Sequence, residues 1–251
     1  MKIRLLSYNI RYGGRGREEL IAQVIRAADP DVVILQEATD PAVVERLSAL
    51  TSLPNWDARY NHSTGFLSRI QVADHGWTVP PRSKHAFLEV HIARPEIRIF
   101  GLHLSAWFSK WSERVRKLEI QAILESIKEH QHGPHVIAGD FNALAPGAAL
   151  NSNRMPNWIQ AMVWLSGRDI ARDTIQHMID SKYLDVFRTL HPEDHGYTFP
   201  TWDPHVRLDY MFTPERYREV LNASEVRLMP AAASKASDHF PLLAELELPN
   251  T

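Results

Sequence analysis

Residues 135–142 read His-Val-Ile-Ala-Gly-Asp-Phe-Asn. The apolar, β-branched run from His135 to Ala138 predicts a short buried strand. It ends in Gly139-Asp140-Phe141-Asn142, where Asp140 and Asn142 stand two apart and so face the same side of extended backbone. A helix is predicted upstream from Ser112 to His130, with the stripe Ile120, Ile123, Leu124 and Ile127 and a stop at Gly133-Pro134. A helix feeding a buried strand that ends in paired polar residues is the repeating theme of an α/β domain.

Working outward, the pattern recurs. Ile3–Asn9 reads as a strand; Gly13, Gly14 and Gly16 make a loop; Glu18 and Glu19 open a helix that Asp29-Pro30 stops. Asp31–Gln36 is a second strand, ending at Glu37. Residues 86–93 alternate, with Ala86, Leu88, Val90 and Ile92 on one face, and residues 97–104 form the next strand, with His103 near its end. Beyond Asn142, residues 153–181 read as helical, with Pro156 suited to a first turn and Gly167 dividing the stretch. Strands are expected at Thr198–Asp203, Arg207–Phe212 and Leu242–Leu248. With no linker, repeat or low-complexity segment, residues 1–251 are expected to form one α/β unit.

Polar side chains collect at the ends of these apolar runs: Asn9, Glu37, His103, Asp140, Asn142, Asp209 and the pair Asp238-His239. One such residue is an ordinary cap or turn. Six segments with the same feature point to a single rim of the sheets, where sites are built. Glu37, Asp140, Asp209 and Asp238 would repel one another if gathered there, and a divalent cation relieves that repulsion. Oxygen donors without thiolates suit Mg²⁺ or Mn²⁺. Such an ion binds a phosphate oxygen and offsets charge in a transition state. Histidines beside carboxylates serve as donors to phosphate oxygens.

Composition narrows the classes. The 251 residues carry 28 Lys and Arg against 30 Asp and Glu, a net charge of −2, so generic attraction to a polyanion is not indicated. There is no cysteine, which excludes disulfides, thiol nucleophiles and Cys-ligated zinc, and fits a cytoplasmic protein. Met1–Ile10 lacks the apolar core of a secretory signal, and no long apolar run predicts a membrane span.

The ordered set S-Y-N-I, L-Q-E, G-L-H-L-S, G-D-F-N, R-L-D-Y-M-F and S-D-H-F-P, running from Ser7 to Pro241, resembles the endonuclease/exonuclease/phosphatase superfamily. The resemblance implies a four-layer α/β/β/α sandwich of two packed mixed sheets with helices on the outer faces. It implies that Glu37 is the principal metal ligand, with Asn9 near metal and phosphate and Asp238 a further ligand or a partner behind the metal. Asp140 would orient or deprotonate the attacking water, and Asn142 would hold that water or a phosphate oxygen. Asp209 would orient His239 toward the scissile phosphate, and His103 would donate to the phosphate or the leaving group. Two departures stand out. Arg11 occupies a position that is acidic in many nucleases of the group. The segment before Gly65 reads His62-Ser63-Thr64 where relatives often show an asparagine, which puts its support of the catalytic histidine in question.

Candidate substrate contacts are Arg11, Trp107, Tyr197, Trp202 and Arg207. For Trp107, with Phe108 and Trp111, the alternative is packing of the loop onto the helix; for Arg207 it is pairing with Asp209. Residues 147–180, rich in Trp and Met, are a lid or insertion, or else a buried amphipathic helix. The expected activity is Mg²⁺- or Mn²⁺-dependent phosphoester hydrolysis, as a phosphodiesterase or nuclease on nucleic acid or its ends. The alternative within the same class is a phosphatase or a sphingomyelinase-like headgroup phosphodiesterase. Retention of all eight motif residues argues against a non-enzymatic module on the same fold.

Overall fold

A computed structural model describes residues 1–81, 83, 85–106, 110–148, 160, 171–226 and 231–249. Twelve strands are present among them: β1 (Lys2–Asn9), β2 (Val32–Gln36), β3 (Asn55–Ala58), β4 (Thr64–Ser68), β5 (Asp74–Thr78), β6 (Phe87–Ala93), β7 (Glu96–His103), β8 (His135–Asp140), β9 (Tyr183–Asp185), β10 (Asp209–Pro214), β11 (Leu221–Val226) and β12 (Leu242–Glu247). The helices are α1 (Glu18–Ala28), α2 (Pro41–Thr51), α3 (Lys110–Ser126), α4 (Asp173–Asp180), α5 (Val186–Leu190) and α6 (Ala231–Ala236).

Two six-stranded sheets result, ordered β11-β12-β1-β2-β4-β3 and β5-β6-β7-β8-β10-β9. Both are mixed: β1 runs parallel to β2 and β7 to β8, and the other pairs are antiparallel. Strand residues with alternating faces account for the layers. Ile3, Leu5, Val32, Ile34 and Ala244 of the first sheet meet Leu88, Val90, Ile99, Val136 and Met211 of the second in a central core. The opposite face of the first sheet packs on α1, α2 and α6 through Leu6, Tyr8, Ile21, Val44 and Ala233. The outer face of the second packs on α3 and α4 through Phe100, Ile120, Ile137, Ile175 and Phe212. The expected four-layer sandwich is therefore the observed one.

Local signals explain the ends that matter. Asp29 caps α1 in the left-handed conformation, its N–H donating to Ile25 O, and Asp40 accepts from Ala42 N with Pro41 in the first turn of α2. Gly139 is required: a Cβ there would lie 2.0 Å from the Leu102 carbonyl oxygen. That close approach of β7 and β8 sets where Asp140 leaves the sheet.

The strand expected over Thr198–Asp203 does not form. Phe199 makes one isolated bridge to Val206, and Asp203 N closes a turn on Pro200 O at 3.0 Å. Pro200 has no N–H to give a ladder, so the β-branched and aromatic residues around it fold as a loop. Of the helix expected over 153–181, Asp173–Asp180 is helical; 153–159 and 161–170, with most of the expected lid, lie outside the described residues. No described helix is long and apolar enough to cross a membrane.

Candidate active site

Strand register places the motif residues in two facing rows. In the second sheet His103 pairs with Asp140 across β7–β8, and Asp140 with Asp209 across β8–β10, so three strand ends carry His103, Asp140 and Asp209 side by side. In the first sheet Asn9 pairs with Gln36, which brings Glu37 next to Asn9. One side chain stitches the rows together. Asn9 Nδ2 donates to Asp140 Oδ2 at 3.0 Å and lies 3.3 Å from Glu37 Oε1, so two carboxylates from different sheets converge on one amide.

His239 closes the group from the loop before β12. Its Nδ1 is 2.8 Å from Asp209 Oδ2, and its Nε2 is 3.8 Å from Asp140 Oδ2. His103 Nε2 reaches the same Asp140 oxygen at 3.8 Å from the other side. Burial opposes a charge on His239, but Asp209 and Asp140 outweigh it and push the imidazolium up to about 10. Burial pushes the Asp140 carboxyl above the usual range. The two histidines pull against that, and the charge of Asp209 adds to it. The pair Asp209–His239 is thus a salt link, while the two histidines flanking Asp140 stand at 3.8 Å, outside hydrogen-bond distance.

Strained backbone and hydrogen bonds frame these groups. Asn142 takes the left-handed conformation (φ 49°); its N–H donates to Asp140 Oδ1 at 2.9 Å and its amide to Leu104 O at 3.0 Å. Glu37 (φ 56°) and Arg11 (φ 53°) also have positive φ, a conformation that non-glycine residues adopt mainly where surrounding contacts impose it. Thr198 Oγ1 accepts from Leu208 N and Asp209 N, and Ser237 Oγ donates to Asn9 O at 2.6 Å. Neither support was foreseen; Ser237 lies in the S-D-H motif, while Thr198 gives no local signal.

Of the expected substrate contacts, Arg11 and Trp202 stand at the rim. Arg11 Nε is 3.3 Å from Asp238 Oδ2, so the departure from an acidic residue is matched by the acid it faces. Trp202 is 65% exposed and meets Phe199 edge-on, and Phe199 touches the His239 ring with centres 4.9 Å apart. Arg207 lies apart from this group. It is buried, paired in a fork with Asp185 at 2.9 Å through Nη1, and stacked over Tyr210, so its partner is Asp185 rather than Asp209. Tyr197 stacks on His195 and shares with Arg207 the lining of a cavity of about 380 Å³. Trp107 is outside the described residues. The His62 ring meets Trp77, and the ring that neighbours His103 is His85, held by Glu119, neither of which belongs to a motif.

The donor set fits a hard divalent cation. Asp140, Asp209 and His239 place ligand atoms within 4.8 Å of one another. His239 is occupied by Asp209 and charged, so the oxygens are the better donors. Asp209 Oδ1 is buried with no hydrogen-bond partner among the described residues. Glu37 and Asp140, which meet across Asn9, could add oxygen ligands of the kind Mg²⁺ and Mn²⁺ take.

A four-layer sandwich whose two sheets bring acids, amides and histidines to one rim defines a metal-dependent phosphoester hydrolase. The chain belongs to the Endonuclease/Exonuclease/phosphatase family, whose model matches residues 6–239. Solved structures agree on the fold. The 3′-5′ exonuclease NExo of Neisseria meningitidis superposes with a TM-score of 0.75 at 19% identity, covering 98% of this chain and 100% of its own. An AP endonuclease from Archaeoglobus fulgidus gives 0.71 at 17%, with 98% and 100% covered. Danio rerio TDP2, complexed with single-strand DNA product, gives 0.68 at 18%, with 98% and 99% covered. No curated protein matches the sequence.

Proposed function

We propose that the chain is a Mg²⁺- or Mn²⁺-dependent phosphodiesterase acting on nucleic acid or its ends, working in the cytoplasm. The observation that carries this reading is the convergence of Glu37 and Asp140, from opposite sheets, on the Asn9 amide, with His103 and His239 flanking Asp140. The nucleic-acid substrate draws support from the neighbours, which include an exonuclease, an AP endonuclease and a protein complexed with single-strand DNA. The lack of cysteine suits a reducing compartment.

In this reading Glu37 is the principal metal ligand, with Asn9 beside it. A bound divalent ion offsets the negative charge that grows on the phosphate. Asp140 orients the attacking water and draws its proton, held in its rotamer by Asn142 N and Asn9. His239, fixed by Asp209, and His103 donate N–H groups to phosphate oxygens, a preorganised pair of cationic or polar donors. Asp238 is turned to Arg11, and the two together shape the metal side of the rim.

The test is a hydrolysis panel with EDTA, Mg²⁺ or Mn²⁺ on bis-p-nitrophenyl phosphate, p-nitrophenyl phosphate, plasmid DNA, single-stranded oligonucleotides with free or phosphorylated 3′ ends, and sphingomyelin. Metal-dependent cleavage of the diester and of a nucleic acid is the expected result. Turnover confined to p-nitrophenyl phosphate or sphingomyelin would transfer the reading to the phosphatase or headgroup class.

A further inference from the structure

Opposite the Asp209–His239 pair, His103 has a second imidazole for a neighbour. His85 lies in the loop leading into β6, its ring 13° from parallel to that of His103 with centres 6.3 Å apart. Its side chain is 42% exposed, yet its Nδ1 lies 3.4 Å from Oε1 of Glu119, a side chain 1% exposed on α3. Glu119 is itself fixed, accepting from Ser105 N at 3.1 Å and Ser105 Oγ at 2.9 Å. Behind it the buried Arg116 donates to Ser105 O and to Glu113, and Glu113 accepts from Thr174 N at the start of α4. Burial opposes a charge on Glu119, but the neighbouring His85 and the hydrogen bonds from Ser105 outweigh it and hold its carboxyl below the usual range.

A buried carboxylate is costly unless it is hydrogen-bonded. Here it fixes a histidine at the surface beside a residue of the reaction centre. Nδ1 faces Glu119 at 3.4 Å as an ion-pair contact without an aligned hydrogen bond, and Nε2, across the ring, is the nitrogen turned away from that carboxylate. His103 and His239 share the Asp140 carboxylate; His85 belongs instead to Glu119, one ring spacing beyond His103.

We propose that His85 is a further substrate-contacting residue, with Glu119 its positioning residue, and that His85 Nε2 binds the phosphate next to the scissile one in a polynucleotide. The inference rests on the nucleic-acid reading above, because a second phosphate on the same substrate is what reaches both imidazoles.

The experiment compares kcat and KM on bis-p-nitrophenyl phosphate, which has one phosphate, and on a single-stranded oligonucleotide, both with Mg²⁺, for the wild type, His85→Ala and Glu119→Gln. His85→Ala is expected to lower kcat/KM on the oligonucleotide about tenfold more than on the small diester, chiefly through KM, the scale of one hydrogen bond to a charged group. Glu119→Gln keeps a polar partner for Ser105 and removes the charge, so it shifts the same ratio in the same direction by a smaller factor. Equal losses on the two substrates, or no loss on either, overturn the assignment of His85. A wild-type chain that hydrolyses the small diester but no oligonucleotide overturns the nucleic-acid reading as well, so the wild type alone tells the two failures apart.

Discussion

At the scale of single residues, the site divides labour by environment. His239 and Asp209 form a buried charge pair, whereas Asp140 is flanked by two histidines that each stand 3.8 Å off rather than in hydrogen-bond contact. Residues with opposed environments in one cleft are the ones that move protons. Asp140→Asn is therefore expected to lower kcat on bis-p-nitrophenyl phosphate by at least roughly 10², the range of a general acid or base. His239→Gln, which keeps a donor for Asp209 where alanine would leave that buried carboxylate bare, should lose a comparable factor with the circular dichroism spectrum unchanged. Glu37→Ala should raise the Mg²⁺ concentration for half-maximal rate by at least roughly tenfold, since even groups behind a ligand cost that much. Near-full turnover in the first two variants, or an unmoved Mg²⁺ titration in the third, would remove these residues from the roles given to them.

At the scale of elements, β8 carries a titrating group far from the chemistry. His135 is buried at its start: Nδ1 donates to Gly133 O at 2.9 Å and the Tyr183 hydroxyl of β9 donates to Nε2 at 2.8 Å, an arrangement that suits the neutral ring. Burial pulls this histidine down to about 4, the Gly133 carbonyl resisting. Its folded value lies below the unfolded one of 6.5, so between those values the unfolded chain holds a proton that the folded chain refuses. Stability from this group is complete above pH ~6.5 and falls as the pH drops, by roughly 2 kcal/mol at pH 5. Urea unfolding at pH 7.5 and pH 5 measures it: His135→Gln should be less sensitive to the change than the wild type by about that amount, and an identical loss in both would refute the account. The same strand illustrates what a sequence discloses. His135–Asp140 is legible because a short apolar run ends in two polar residues with a period of two, and β1, β2, β7 and β10 because each is an apolar run with a polar motif residue at or just past one end. Short or half-exposed strands such as β3, β5 and β11 carry no such run. Thr198–Asp203 misleads, since its side chains favour a strand while Pro200 forbids the ladder. Glu119 and Arg116 read as an ordinary polar helix face, because their burial depends on Ser105 and Thr174, which the chain brings in from 11–14 residues before and, for Glu113, 61 residues after.

At the scale of the whole molecule, the reaction centre exists only where the two sheets meet. Asn9 and Glu37 belong to one sheet; His103, Asp140 and Asp209 belong to the other. Their distance is set by the central core, and Gly101 on β7 is a point of close approach across it: a Cβ there would stand 2.6 Å from Ile34 Cγ2 on β2. Two residues further along β7 lies His103, and three beyond Ile34 lies Glu37, so a wedge at this point separates the rows that share a substrate. Gly101→Ala is expected to cost about 1–3 kcal/mol by overpacking. Ile34→Ala alone leaves a cavity and costs about 2–5 kcal/mol. Combined, they relieve each other: Ile34→Ala removes the methyl that the new Cβ strikes, so the double variant should be more stable than the sum of the singles by about 0.5–3 kcal/mol. If sheet spacing governs the site, kcat follows the same cycle, falling in Gly101→Ala and partly restored in the double variant. Additive stabilities would show that the sheets absorb the extra methyl without shifting. Coupled stabilities with an unchanged kcat would show that the rim is insulated from the core beneath it.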